Sequence, residues 1–131
     1  MKTKIKLLFL FAVLVFIDQL SKYFSSNSIC NQNIAWSIPI APAIFYFVWI
    51  IIIAVLIYLL TKTKSYYQKI FLILIFSGAI SNIIDRLHFG CVVDYIDLKF
   101  WPVFNLADVY IAVGAILLFV LVLKFQCPRR S

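Results

Sequence analysis

Long apolar segments and shorter polar stretches alternate along the chain. The apolar segments cover about residues 5–24, 43–61, 70–87 and 107–125. Each is close to the roughly 20 residues that a helix needs to cross a bilayer. The pattern predicts an all-α membrane protein, a four-transmembrane-helix bundle that forms a single integral membrane domain over residues 1–131.

Composition agrees with this prediction and excludes a soluble domain. Of the 131 residues, 65% are hydrophobic and only 13% are charged, with a mean hydropathy of +1.05. A soluble domain carries about a quarter charged residues, so this chain has too few to cover a water-exposed surface.

The basic residues predict the orientation. Nine of the twelve lie at the two termini or between the second and third segments: Lys2, Lys4, Lys6, Lys62, Lys64, Lys69, Lys124, Arg129 and Arg130. Lys and Arg accumulate in cytoplasmic loops, so we expect cytoplasmic termini and two outward-facing longer loops. The net charge of +7 therefore indicates orientation, and no nucleic-acid partner is expected. The first segment also has the basic start of a signal peptide, but without a small-x-small cleavage site it is interpreted as a retained span.

The acidic residues show the opposite distribution. There are five, all aspartates, and each falls at the outer end of a span or in an outer loop: Asp18, Asp85, Asp94, Asp97 and Asp108. Ionisable groups in or beside the hydrocarbon are costly and usually face a bundle interior or a wet cavity. They are therefore the candidate functional residues.

Two clusters of polar residues lie on spans. Asp18 and Lys22 have the i, i+4 spacing of a helical ion pair, which is either a structural anchor or part of a site. Asn82, Asp85 and Arg86 lie within about one turn of each other and share a face. They suggest a hydrogen-bonded network, although Arg86 alone is also explained by snorkelling to the headgroups.

Two further aspartates lie near the fourth span: Asp108 at its start and Asp94 in the loop before it. Asn105 and Asp108 have the spacing of an N-cap and an acid at the third helical position, so capping alone explains both. Asp94 follows an apolar, β-prone run, where an unpartnered carboxylate is expensive to bury. It is therefore harder to assign to structure alone.

The loop after Asp94 alternates apolar and polar residues. This period of two predicts a small extended element in the outer loops over residues 96–100, with Ile96, Leu98 and Phe100 on one face. Trp101 favours the membrane interface. Such a platform serves either as an anchor or as a docking surface for substrate.

Metal and cofactor chemistry are not expected. Cys30, Cys91 and Cys127 have no metal-type spacing, and small apolar fillers are a better interpretation than a disulfide or a metal site. His88 is the single histidine and there is no glutamate, so few zinc ligands exist.

Five motifs occur in an order that resembles the lipoprotein signal peptidases, the bacterial signal peptidase II family. They are Asp18-Gln19-x-x-Lys22, Asn31-x-Asn33-x-Ala35-Trp36-Ser37, Gly78-Ala79-x-x-Asn82-x-x-Asp85-Arg86, Gly90-x-Val92-Val93-Asp94-Tyr95 and Phe104-Asn105-x-Ala107-Asp108. The resemblance covers essentially the whole chain. The chain departs from the family pattern at Asn33, Trp36, Ser81 and Val109, where Gly, Phe, Gly and often Ser are usual.

The resemblance implies an aspartic endopeptidase of the bacterial cytoplasmic (inner) membrane, with its active site at the outer face. It would remove signal peptides from diacylglyceryl-modified prolipoproteins, cutting just before the lipid-modified cysteine, and would act as a monomer in contact with membrane lipid. The implied catalytic pair is Asp94 and Asp108. The implied substrate-binding or supporting residues are Asp18, Lys22, Asn31, Gly78, Asn82, Arg86 and Asn105.

Other functions stay open from the residues alone. A small transporter using the acids as a relay would place ionisable groups through the depth of the membrane, whereas these cluster at one face. An inactive homologue or a non-enzymatic membrane scaffold is the remaining alternative.

Overall fold

Four helices make up most of the chain. The computed structural model describes residues 2–32 and 41–126, the last two by backbone alone. The helices are α1 (Lys2–Phe24), α2 (Pro42–Lys62), α3 (Tyr66–Phe89) and α4 (Leu106–Gln126). Each is long and apolar enough to cross a bilayer. The predicted four-helix fold is confirmed.

Local signals set several helix ends. Pro42 opens α2 at a position where a proline's missing N–H is not needed. Ser65 caps α3, its side chain accepting a hydrogen bond from the Gln68 N–H. The same helix stops at Gly90, which adopts a φ of 73° that glycine takes without strain.

Helix α3 is the centre of the bundle and packs against the other three helices. Its approach to α4 is close at two glycines, Gly78 and Gly114. A Cβ atom at Gly78 would lie 2.3 Å from the Ala107 carbonyl oxygen, and one at Gly114 would lie 2.8 Å from the Phe71 carbonyl oxygen. Small residues allow this backbone proximity between membrane helices.

A small antiparallel sheet joins the two long loops. Strand β1 (Ile29–Asn31) pairs with β2 (Val92–Asp94), with Ile29 opposite Asp94. The loops therefore contain a small β element, but it lies at Ile29–Asn31 and Val92–Asp94 and not at the predicted residues 96–100. We call the end of the bundle formed by residues 25–32 and 90–105 the loop end. It contains the last turns of α1 and α3 and the first turns of α2 and α4.

The interpretation of the cysteines as apolar fillers is wrong for two of them. Cys30 and Cys91 form a disulfide, with their Cα atoms 5.4 Å apart and their positions 61 residues apart in the chain. The strand register brings them together, because Cys30 lies opposite Val93 and Cys91 directly precedes β2. Cys127 lies outside the described residues.

The prediction of an extended segment over residues 96–100 is wrong beyond Ile96. Ile96 pairs with Phe104 in an isolated bridge, and the chain then turns. The turn is made by Asp97, whose side chain accepts a hydrogen bond of 2.8 Å from the Lys99 N–H, while Lys99 has a φ of 69°. A local Asx-type turn is stronger here than the period-two pattern.

Candidate active site

A cavity of about 890 Å³ opens at the loop end, between α2 and the α3–α4 pair. Its wall is mostly apolar, with Trp49, Ile75 and Ile111 among the lining residues. Its polar lining includes Asn31, Asn82, Arg86, Asp94 and Asp108. Five of the nine predicted site residues therefore face one space.

Asp108 is held at the first turn of α4 by a reciprocal cap. The Asn105 Oδ1 accepts a hydrogen bond of 2.9 Å from the Asp108 N–H. In return, the Asp108 Oδ2 accepts one of 3.3 Å from the Asn105 N–H. This is the geometry of a capping box. It fixes the carboxylate at the start of α4.

Asp94 ends β2 and is only 3% exposed. Each of its oxygens accepts a hydrogen bond from an amide. The Asn105 Nδ2 donates to Oδ1 over 2.8 Å, and the Asn31 Nδ2 donates to Oδ2 over 3.0 Å. Asn105 therefore contacts both predicted catalytic carboxylates, one through its side chain and the other through its backbone.

Asn82 completes the connection between the two carboxylates. Its Nδ2 donates to the Asp108 Oδ1 over 2.8 Å, and its Oδ1 accepts from the Asn105 Nδ2 over 3.0 Å. The chain of contacts runs from Asp94 through Asn105 and Asn82 to Asp108. Asn105 therefore caps α4 and also contacts both carboxylates.

Burial determines the protonation of Asp94. Desolvation raises its pKa to about 6, the nearby charge of Asp108 acts in the same direction, and the hydrogen bond from Asn31 opposes them. A carboxyl group with a raised pKa retains its proton to higher pH. An ionised and a protonated carboxyl group at one site are the requirement for acid–base work by two aspartates.

Asp18 and Lys22 lie beneath this arrangement, outside the cavity lining. They form a buried ion pair of 2.7 Å, and the Lys22 Nζ also donates to the Asn82 Oδ1 over 3.0 Å. The Asp18 Oδ1 accepts a hydrogen bond of 2.7 Å from the Ala107 N–H, next to Asp108. The pair therefore holds Asn82 and the backbone next to Asp108 in place, in addition to anchoring the end of α1.

Asp85 belongs to the same network, although the predicted site residues did not include it. It is fully buried, lies 2.7 Å from the Lys22 Nζ, and accepts a hydrogen bond of 3.2 Å from the Val93 N–H, next to Asp94. Asp18 thus binds the backbone N–H beside Asp108, and Asp85 binds the backbone N–H beside Asp94. The sequence signal for Asp85 was its position three residues after Asn82 on one helix face.

Gln19 and Ser81 are two further members that sequence reasoning missed. The Ser81 hydroxyl donates to the Asp18 Oδ2 over 2.6 Å, and the Gln19 Nε2 donates to the Asp85 Oδ1 over 2.8 Å. Ser81 is one of the departures from the family pattern, and its hydroxyl binds the same buried Asp18 oxygen that pairs with Lys22. Polar residues within apolar spans were the available signal.

Arg86 and Gly78 take different positions from the central network. Arg86 is half-buried, stacks over the Phe45 ring at 4.3 Å and donates to the Gln32 carbonyl oxygen over 3.4 Å. It therefore links α3 to α2 and to the loop after β1. Gly78 lies in the α3–α4 contact and is absent from the cavity lining. Asn33 and Trp36, two departures from the family pattern, fall outside the described residues.

The described residues contain no group of three or more His, Cys, Asp or Glu side chains placed to hold a metal ion. The chemistry that the geometry offers is carried by carboxylates and amides.

Comparison with known proteins identifies the family. A family model described as "Signal peptidase (SPase) II" matches residues 10–124. A lipoprotein signal peptidase of Clostridioides difficile is 34% identical, over 90% of this chain and 95% of the relative. One from Caldicellulosiruptor bescii is 41% identical, over 82% of this chain and 73% of the relative.

Solved structures agree with the sequence relatives. A bacterial membrane enzyme determined by the in meso method at 2.3 Å resolution superposes with a TM-score of 0.85 at 29% identity, covering 96% of this chain and 92% of the other. A second such enzyme, at 1.9 Å resolution, gives a TM-score of 0.79 at 28% identity. The family match, the relatives and the shared fold lead to one conclusion: this multi-pass membrane protein belongs to the signal peptidase II family of aspartic-type proteases.

Proposed function

We propose that this protein removes signal peptides from diacylglyceryl-modified prolipoproteins, cutting just before the lipid-modified cysteine, with Asp94 and Asp108 as its catalytic pair. One observation carries the assignment of the pair. Both carboxylates line the same cavity while a single residue, Asn105, contacts each of them.

The two carboxyl groups supply all the proton transfers that hydrolysis requires. The ionised one takes a proton from a water molecule, whose oxygen attacks the scissile carbonyl carbon. The protonated one donates to the carbonyl oxygen, which gives a neutral tetrahedral intermediate. The proton taken from water then passes to the amide nitrogen as the C–N bond breaks, and the other carboxyl group recovers its proton. The shared proton belongs to the pair and is not assigned to either residue.

The surroundings support this chemistry. The amide donors of Asn82 and Asn105 hold the carboxylates in place without adding charge. The raised pKa of Asp94, about 6, favours the retention of one proton by the pair. Asp18, Lys22 and Asp85 fix the backbone on either side of the pair, which limits the reorganisation needed during reaction.

The cavity suits a lipid-linked peptide. Its polar lining includes both carboxylates, and its apolar lining comes from α2, α3 and α4, with Trp49, Ile75 and Ile111 among the residues. Acyl chains and the apolar part of a signal peptide can contact that apolar lining while the scissile bond reaches the aspartates. Within this proposal the protein acts as a monomer in the bacterial cytoplasmic membrane, with the loop end at the outer face.

Substitution of either aspartate tests the catalytic pair. We expect Asp94→Asn and Asp108→Asn each to slow cleavage of a diacylglyceryl-modified precursor by at least about a hundredfold, because each removes one side of the acid–base pair. The measurement is a gel-shift assay with purified protein in detergent.

The matched control is Asp97→Asn. Asp97 lies in the same loop, but it is paired with Lys99 on the exposed surface, so its replacement should leave the rate unchanged. Cleavage at the wild-type rate by either variant of the pair would exclude that residue from catalysis. Wild-type activity should also persist in EDTA, and activity that EDTA abolishes and added metal restores would contradict an aspartic mechanism.

A further inference from the structure

The Cys30–Cys91 disulfide lies next to the proposed catalytic pair. Cys30 immediately precedes Asn31, which donates to the Asp94 Oδ2 over 3.0 Å. Cys91 begins the segment that ends at Asp94 three residues later. The bond therefore crosses between the two strands that bring Asn31 and Asp94 together.

Within the described residues, strand β1 is held by its pairing with β2 and by the contact of Arg86 with the Gln32 carbonyl oxygen directly after it. It is three residues long, Ile29 and Cys30 are exposed, and its main packing partner in the described part of the chain is β2. A two-stranded ladder of this length is at best marginally stable by itself. By contrast, β2 is largely buried and is fixed by the contact of Val93 with Asp85.

The two oxygens of Asp94 are therefore held in different ways. Oδ1 contacts Asn105, which the cap of α4 makes rigid. Oδ2 contacts Asn31, whose position depends on how β1 is attached to β2. The covalent bond is the strongest link between those strands.

Building on the function proposed above, we infer that the Cys30–Cys91 disulfide is a positioning element of the active site. It keeps Asn31 in hydrogen-bonding contact with Asp94, so that cleavage depends on the bond being closed. Neither cysteine touches substrate or the reacting atoms in this role.

The bond is open to chemical reduction from one side. Cys30 is exposed, whereas Cys91 is only 2% exposed, so an external thiolate reaches the Cys30 sulfur first. With dithiothreitol the balance is complete: the S–S bond takes two electrons and two protons and becomes two thiols, while the dithiol becomes a cyclic disulfide. Disulfides persist in oxidising compartments, which agrees with a loop end at the outer face.

The experiment uses the full-length Cys127→Ser protein, which removes the third cysteine and leaves the disulfide. Cleavage of the precursor is measured before reduction with dithiothreitol, after it, and after reoxidation. We expect reduction to lower kcat by roughly tenfold with little change in KM, since a hydrogen bond to a charged group is lost and ground-state binding is not. Reoxidation should restore the rate.

The double variant Cys30→Ser/Cys91→Ser is the matched control for reduction. It should cleave at the reduced rate and should not respond to dithiothreitol. Circular dichroism monitors the helices in parallel. A loss of helical signal together with activity would assign the disulfide to the fold instead of the site and would overturn the inference, as would equal rates in both redox states.

A second readout does not require turnover. Carboxyl ¹³C labelling of aspartate gives five signals in this chain, and Asp94→Asn assigns one. Reduction should raise the pKa of Asp94, because Asn31 favours its ionised form, while Lys22, Arg86 and Asp108 remain as neighbouring charges. An unchanged pKa would contradict the inference. If oxidised wild-type protein fails to cleave the precursor, the proposed function fails, and this titration still decides the role of the disulfide.

Discussion

Asn105 both caps α4 and contacts the two proposed catalytic carboxylates. Its Oδ1 accepts from the Asp108 N–H and caps α4, and its Nδ2 remains free to donate to Asp94. An asparagine carries an acceptor and two donors on one side chain, so both roles are filled without conflict. Aspartate would cap equally well but would place a second negative charge against Asp94.

The hydrogen bond from Asn31 to Asp94 predicts how the cleavage rate depends on pH. Asn31 donates to the carboxylate of Asp94 and so lowers the pKa that burial raises to about 6. In Asn31→Ala that stabilisation of the ionised form is lost and the pKa of Asp94 rises. The alkaline limb of the kcat/KM profile, where the pair loses its last proton, should therefore move to higher pH.

The control for this profile is Asn27→Ala, an exposed asparagine in the same loop, which should keep the wild-type limb. The other groups that act on the pKa of Asp94 are Asp108, Asn105, Lys22 and Arg86, and none of them is altered. A limb that stays in place, or moves to lower pH, would refute the assignment of this contact.

The contact between α3 and α4 positions Asp108 at the scale of whole helices. A Cβ at Gly78 would meet the Ala107 carbonyl oxygen at 2.3 Å, and backbone cannot move aside as a side chain can. We expect Gly78→Ala to push the first turn of α4 away from α3 and to slow cleavage by about tenfold or more, because catalysis depends on sub-ångström placement.

Gly114→Ala is the comparison variant for the same helix pair. Its Cβ would also be too close, at 2.8 Å from the Phe71 carbonyl oxygen, but this contact lies about two turns further along α4 from the proposed catalytic pair. Overpacking of this kind costs about 1–3 kcal/mol, so both variants should lower the melting temperature measured in detergent. Only Gly78→Ala should also lower kcat, and equal losses of kcat would show that general packing is responsible.

Prediction from sequence succeeded for elements with a strong period and failed where contacts are distant. Length and hydropathy were enough for the four helices. The disulfide was missed because its cysteines are 61 positions apart and become neighbours only through strand register. The turn at Lys99 was missed because a local side-chain hydrogen bond overrode an alternating pattern.

The candidate site was predicted in part for the same reason. Acidic residues in an apolar chain stand out, so Asp94, Asp108 and Asp18 were identifiable without coordinates. Gln19 and Ser81 gave a weaker signal because they are uncharged, and only the packing of α1 on α3 shows their partners.

At the scale of the whole molecule, the charge distribution predicts the orientation. Of the ten basic residues that the structure describes, seven lie away from the loop end, whereas all five aspartates lie at it. A reporter that is active only in the cytoplasm should be active when it is fused after residue 64, between α2 and α3. One fused after residue 98 should be active if it requires the outer compartment.

Paired fusions to alkaline phosphatase and green fluorescent protein at both positions make this test internally controlled. Each position should activate one reporter and silence the other. The reverse pattern would place the loop end, and with it the aspartates, on the cytoplasmic side.

The covalent link between the two loops also constrains biogenesis. Cys30 follows α1 and Cys91 follows α3, so the two sulfurs reach the same side of the bilayer only after α2 and α3 have both been threaded into it. While only the loop after α1 has crossed the bilayer, Cys91 is not yet available to react with Cys30. The bond therefore cannot close before three of the four spans are in place, and a thiol-alkylation assay can follow its closure over time.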